Sequence, residues 1–264
     1  MRAAKNPLME AAPPDVPLAR PPLIRVIAQV RFPLVAKLRS EEAIAPFQDR
    51  IRDRYPFLRP EQSFGLAFGQ DGPVETTRIS YWRFLDRDET WMVTLGSDFV
   101  GIETRRYTSR NDFLDRFHEV LSACQSLFEP AAADRVGIRY VNRITDPLLH
   151  DLRALVRPEV LGIAMTPLLE SAEQVIAQNL FRLDRCRLAA RWGLLPPRAS
   201  VDPSAIDPID ERSWVLDMDA YHGQLQPFDS AELVGQLHDF AESIYKFFRW
   251  AVTDEFLRRH GGEV

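Results

Sequence analysis

From Leu23 to Phe32 apolar and polar positions alternate, with Ile24, Val26, Ala28, Val30 and Phe32 on one side and Arg25, Gln29 and Arg31 on the other. That is the period of a strand with one buried face. The period then lengthens. After Ser40-Glu41-Glu42, the residues Ile44, Phe47 and Ile51 make the apolar side of a helix that must end before Pro56. Four short strands are predicted next, Phe64 to Gly69, Arg78 to Leu85, Trp91 to Leu95 and Phe99 to Tyr107. The breaks at Asp71-Gly72-Pro73, at Asp86 to Glu89 and at Gly96-Ser97 hold the residues that hairpin turns favour, so these strands read as an antiparallel meander. A long helix follows from Ser109 to about Phe128, with Phe113, Phe117, Val120, Leu121, Cys124 and Phe128 along one face, and Pro130 closes it.

The same order then starts again. Val136, Ile138, Tyr140, Asn142 and Ile144 alternate with Arg139, Val141 and Arg143. A short helical region is expected around Pro147 to Leu155 and near Pro158 to Leu161, then strands from Val175 to Leu183 and from Arg185 to Leu194. The stretch from Leu195 to Glu211 carries Pro196, Pro197, Pro203 and Pro208 and is too long for an ordinary hairpin connection, which leaves a flexible excursion or a functional lid. A strand from Ser213 to Ala220 puts Trp214, Leu216 and Met218 inward and Val215, Asp217 and Asp219 on the other face. A closing helix from Asp229 carries Leu233, Leu237, Phe240, Ile244, Phe247, Phe248 and Ala251.

The two long helices stay in register at a constant offset of 120 residues, as between His118 and His238. Ser109 with Asp112, and Asp229 with Glu232, are both side-chain caps followed three positions on by an acidic residue. The organisation expected is therefore a proline-rich mobile tail or strap over 1–22, a first unit over 23–130 and a second over 131–264, packed as one globule. The fold class is α+β, a two-layer sandwich of tandem duplicated β-α-β(3–4)-α units with antiparallel sheets. At fold level this order is similar to the saddle of the TATA-binding-protein class and to helix-grip ligand carriers, and fold does not fix function.

A chain of 264 residues removes roughly 70 to 75% of its unfolded surface from water, so it needs no metal or disulfide staple. Cys124 and Cys186 make no disulfide framework, and the early prolines interrupt any apolar signal core, so a soluble cytoplasmic protein is expected, with no membrane partner. The net charge of −5 disfavours nucleic acid as a partner of the whole field, and the positive charge is almost all arginine, with Lys5, Lys37 and Lys246 the only lysines.

The opening Pro22-Leu-Ile-Arg-Val, the Trp91 to Tyr107 strand pair with Glu103-Thr104-Arg105, the phrase Arg135-Val-Gly-Ile-Arg-Tyr-Val-Asn-Arg-Ile144 and the late Val252-Thr253-Asp254-Glu255 together resemble a sporadically distributed bacterial family of uncharacterised proteins of about this length. The likeness runs from Pro22 to Glu255, and Arg139-Tyr140-Val141-Asn142-Arg143 is its most distinctive part. The resemblance implies a horizontally moved gene of the kind found among defence or toxin-antitoxin loci, and it carries over no activity.

No phosphate-binding loop, dinucleotide fingerprint, nucleophile elbow or HExxH helix occurs, so no catalytic residue, cofactor or metal is assigned. His118 and His238 each flank an apolar stripe beside an acidic neighbour and read as boundary residues. Asp217 and Asp219 share a face that Glu103 would have to complete for a hard cation, against ordinary pairing with arginines. Arginines carry the strongest candidate chemistry. Arg185, Arg187 and Arg191 alternate onto one strand face and Arg139 and Arg143 onto another, opposite the helix-covered side, and Arg25 and Arg31 extend it. Guanidinium forks so placed grip carboxylate or phosphate, or form a solvated face balanced by Asp184, Asp217, Asp219 and Glu103. The candidate binding residues are Arg139, Asn142, Arg143, Arg185, Arg187 and Arg191, with Glu103 and Arg105. The leading expectation is a non-enzymatic binding or adaptor protein whose partner is another protein. The alternative is a carrier of a small anion or apolar ligand in a pocket between helix and sheet, walled by Trp82, Phe84, Trp91 and Trp192. A nucleic-acid-binding saddle comes third.

Overall fold

The structure is a computed structural model that describes residues 5–67 and 75–264. It is an α+β fold built on a nine-stranded sheet in the order β2-β3-β4-β5-β1-β6-β9-β8-β7. The strands are β1 (Leu23–Arg31), β2 (Phe57–Ala67), β3 (Glu75–Leu85), β4 (Trp91–Gly96), β5 (Phe99–Thr104), β6 (Arg135–Ile144), β7 (Val175–Arg182), β8 (Arg187–Leu195) and β9 (Ser213–His222). The helices are α1 (Glu41–Ile51), α2 (Arg110–Phe128), the one-turn α3 (Leu152–Leu155) and α4 (Pro158–Leu161), α5 (Ser230–Ala251) and α6 (Asp254–Arg259). The turn expected at Asp71-Gly72-Pro73, with the end of the strand before it, lies outside the described residues.

Packing divides the chain into two compact units, one of residues 27–136 and 223–236 and the other of 1–26, 137–222 and 237–264. The cuts fall inside β1 and inside β6.

In the first of these units α1 and α2 cover one face of the meander. Phe47 packs edge-on against Phe84 with ring centres 5.3 Å apart and against Phe128 at 5.7 Å, and Trp91 stacks on Phe113 at 5.7 Å. The Ser109 hydroxyl accepts the Asp112 N–H at 3.1 Å, so the expected cap starts α2 where the sequence places it. Phe113, Phe117, Val120, Leu121 and Cys124 are all fully buried. β2 begins earlier than its alternation suggests and passes through Pro60, which an end strand tolerates because the missing N–H has no ladder partner to lose on its outer side. β5 stops at Thr104, short of Tyr107, because the Thr104 hydroxyl donates to the Thr90 carbonyl at 3.0 Å and accepts the Arg106 N–H at 2.9 Å, turning the chain.

In the second unit the late turns of α5 cover the strands. Phe247 packs on Trp192 at 5.7 Å and on Phe181 at 5.5 Å, and Phe248 meets Phe256 of α6 edge-on at 5.6 Å. Thr253 caps α6, accepting the Phe256 N–H at 3.2 Å. Between β6 and β7 the short helical region is longer than expected, with single 3-10 turns at Gly162–Met165 and Pro167–Ser171 after α4. Residues 14–20 of the proline-rich segment are tied to α5 and the chain end. Tyr245 accepts the Val16 N–H at 2.9 Å and donates to the Pro14 carbonyl at 3.0 Å, and Arg20 N–H donates to His260 O at 3.0 Å. Gly193, at φ 152°, lets β8 pass so close to β7 that a Cβ there would meet the Val175 carbonyl at 1.8 Å.

The buried faces give a direct test. Phe117→Ala should lower unfolding free energy in urea by about 3–5 kcal/mol, whereas His118→Ala, one step off the stripe and exposed, should stay within about 0.5 kcal/mol.

Candidate functional site

The pairing of β8 with β9 sets Arg191 directly opposite Asp217, so strand register alone brings a guanidinium to a carboxylate. Asp217 lies on the face opposite Trp214, Leu216 and Met218, and its side chain is only 5% exposed. From β6, Arg139 closes on the same carboxylate as a fork: its Nε donates to Oδ1 at 2.6 Å and its Nη2 to Oδ2 at 2.8 Å. Arg191 Nη2 donates to Oδ2 at 2.7 Å. One buried carboxylate therefore serves two arginines, and a second negative charge is required nearby.

The proline-rich excursion supplies it. Asp202 accepts from Arg139 Nη1 at 2.8 Å. Three peptide carbonyls of the same segment take further arginines: Val201 O accepts from Arg191 Nη1 at 3.1 Å, Ser204 O from Arg25 Nη1 at 2.8 Å, and Asp207 O from Arg143 Nη2 at 2.6 Å. The segment is shaped for this by its own polar side chains. Ser204 donates its hydroxyl to Asp202 Oδ1 at 2.6 Å, the Asp202 N–H donates to Ser200 Oγ at 3.1 Å, and Ser200 Oγ donates to Ile206 O at 2.6 Å. Asp202-Pro203-Ser204 is the composition of such a side-chain-stabilised turn. Ala205 and Ile206 are buried, so an apolar anchor accompanies the ionic grip.

Their partners favour the charged forms of Asp202 and Arg139. Burial pushes the Asp202 carboxyl up, but the Ser204 hydroxyl and the Arg139 guanidinium outweigh it and keep it below its usual range. Burial likewise works against charge on Arg139, and the Asp217 and Asp202 carboxylates reverse it, raising its pKa. Arg143 is shifted the other way: burial lowers it, and Asp207 and Glu211 only partly compensate.

Of the residues singled out from the sequence, Arg139, Arg143 and Arg191 come together under this segment, and Arg25 joins them. Arg185 does not. It precedes β8, so the strand alternation does not reach it, and it pairs with Asp239 of α5 at 2.6 Å. Arg187 is exposed at the start of β8, opposite Tyr221. Asn142 is buried and donates Nδ2 to Leu216 O at 3.4 Å. Glu103 and Arg105 belong to the other compact unit, with Glu103 opposite Met92 on β5 and the Arg105 N–H donating to Thr90 O at 3.0 Å. Arg31, expected to extend the arginine face, meets Asp98 at 3.5 Å.

One expectation is corrected. The face opposite the helices is covered where Arg139, Arg143 and Arg191 lie, because a buried guanidinium needs acceptors and the excursion provides them. The aromatic residues expected to wall a pocket make contacts of their own. Trp82 donates Nε1 to Leu38 O at 2.9 Å, Trp192 donates to Val160 O at 2.6 Å, and Phe84 and Trp91 are filled in by Phe47 and Phe113. Asp217 is taken by arginines, and among the described residues no group of three His, Cys, Asp or Glu side chains is placed to hold a metal ion. Cys124 and Cys186 are buried free thiols, and burial pushes the Cys124 thiol up to about 12. Sequence reasoning missed Asp202, Ser204 and Asp207 as partners, although the turn composition around Pro203 was there to be read.

No helix among the described residues is long and apolar enough to cross a membrane. Compared with models of protein families and with curated proteins, the chain matches none.

Removing the shared carboxylate leaves two guanidiniums facing each other, so Asp217→Ala should cost about 3–5 kcal/mol in urea unfolding, well above the cost of Asp202→Ala at the better solvated position. Because the folded-state pKa of Asp202 is lowered, its contribution is complete above the ordinary value of 3.8 and is lost as pH falls through the folded value. Stability measured against pH should therefore show an acid limb below that value which is shallower in Asp202→Asn.

Proposed function

We propose that the chain is a non-enzymatic cytoplasmic binding protein that takes an acidic segment of another protein on its arginine face, and that residues 201–207 occupy this face in cis until displaced. One observation carries the reading: guanidiniums from β1, β6 and β8 converge on the acceptors of a single short segment. Beneath that segment Arg139 and Arg191 engage Asp217, with Asp219 two residues further along the same strand face. The acceptors used in cis are one carboxylate and three peptide carbonyls spaced along a polypeptide, which supports a peptide ligand over a nucleic acid. Arg139 and Asp202 are held in their charged forms, as recognition of an opposite charge needs, and not poised near neutrality as a general acid or base must be. Two buried, unpaired thiols fit a reducing compartment.

The same reading takes the two sequence halves as copies of one unit. The caps at Ser109 and Asp229 support it: Asp229 Oδ1 accepts the Ala231 and Glu232 N–H groups at 3.0 and 2.9 Å, at the position equivalent to the Ser109 cap. Strand order supports it too, since β1-β5-β4-β3 and β6-β9-β8-β7 follow one scheme.

The test replaces residues 200–208 by a glycine-serine linker of equal length and titrates the variant, by fluorescence anisotropy, with a labelled peptide of residues 199–209. The variant should bind the peptide at least about tenfold tighter than the native chain does, with affinity falling as salt rises and lost on adding Arg139→Gln. A folded variant that ignores the peptide, or that binds equally a peptide with both aspartates changed to asparagine, refutes the reading. Amide exchange on the native chain gives an independent measure. The Ala205 and Ile206 amides should open well before those of β9, and equal protection would mean that the segment is a permanent part of the core.

A further inference from the structure

A concave site lies in the compact unit that holds the arginine face, and its lining includes none of the arginines of that face. It is a pocket of about 240 Å³ lined by Leu149, Leu152, Leu161, Ala164, Leu169 and Leu194 and, among charged residues, by Arg153 and Arg212 with Asp146 and His150. Its apolar lining is built from the short helical turns after β6 and from the end of β8, and these turns are held in place from two sides. Trp192 Nε1 donates to the Val160 carbonyl at 2.6 Å, and Thr253 donates its hydroxyl to Ala154 O at 2.7 Å beside a bridge between Val156 and Val252.

The charges at this pocket are unequal. Asp146 is engaged by His150 at 3.4 Å, whereas Arg153 and Arg212 have no carboxylate partner among the described residues. Elsewhere in the same unit several arginines meet carboxylates, Arg139 and Arg191 at Asp217, Arg185 at Asp239 and Arg198 at Asp210, while Arg187 lies exposed at the start of β8. A leucine-lined recess with two unmatched guanidiniums suits a ligand that is apolar at one end and anionic at the other. The volume falls short of the roughly 300–1,000 Å³ of drug-sized sites, which limits the ligand to a short chain or a single ring.

We propose that this pocket binds a short apolar monocarboxylate, its hydrocarbon part against the leucines and its carboxylate held by Arg153 and Arg212. The site is independent of the peptide reading, since none of its lining residues touches residues 201–207 through a hydrogen bond or ion pair given above.

The test is calorimetric titration of the full chain with hexanoate and, separately, with 1-hexanol. Hexanoate should bind saturably and hexanol at least about tenfold more weakly, the difference that charge-assisted hydrogen bonds to two arginines supply. Arg153→Gln with Arg212→Gln should bring hexanoate down to the level of hexanol. Ala164→Leu, which fills the recess without touching the arginines, should abolish both. Both arginines are exposed, so their substitution leaves the fold intact. Absence of saturable hexanoate binding, equal affinity for the alcohol, or unchanged affinity in the double arginine variant overturns the proposal. None of these results bears on peptide binding by the strap-replaced chain.

Discussion

A single buried carboxylate, Asp217, organises the chemistry of this protein. Placed by strand register opposite Arg191 and forked by Arg139, it carries two positive charges against its one. Burial makes such an arrangement untenable alone, because an uncompensated guanidinium away from water costs several kcal/mol. The segment that brings Asp202 is thereby compelled to dock, and with it come the carbonyls that accept from Arg25 and Arg143. What reads in one dimension as an overlong loop is the counter-charge of the sheet.

The same balance describes how the segment is held. Its apolar anchorage is small, Ala205 and Ile206, beside a set of hydrogen bonds and ion pairs. Helix-to-sheet contacts are of the opposite kind. Phe47 packs on Phe84 and Trp91 on Phe113 in one unit, and Phe247 packs on Trp192 and Phe181 in the other. Space for a small molecule appears among the short turns after β6, where one-turn helices cannot interdigitate as densely as a long amphipathic face does.

Elements with a strong period were legible along the chain. Alternation located β1, β6 and β9, and the 3.6-residue period with its cap located α2 and α5 to within a residue, since both signals depend only on neighbours. Alternation also placed Asp217, Arg139 and Arg191 opposite the helices. It failed at Arg185, which lies just outside β8 and turns to α5, and it was silent on the short turns between Gly162 and Ser171, whose few residues complete no period.

The sequence by itself determined which residues face the core, where the long helices begin, and that arginines and aspartates share the strand face away from them. Those properties follow from local geometry, two residues per strand repeat and 3.6 per helical turn. Only the tertiary structure decided which acceptors those arginines find. Asp202 is 63 residues from Arg139, and Ser204 is 179 from Arg25. Nothing in a one-dimensional pattern specifies where a chain of that length returns. The return is set by the need of a buried charge for a partner, and that need exists only once the strands have paired.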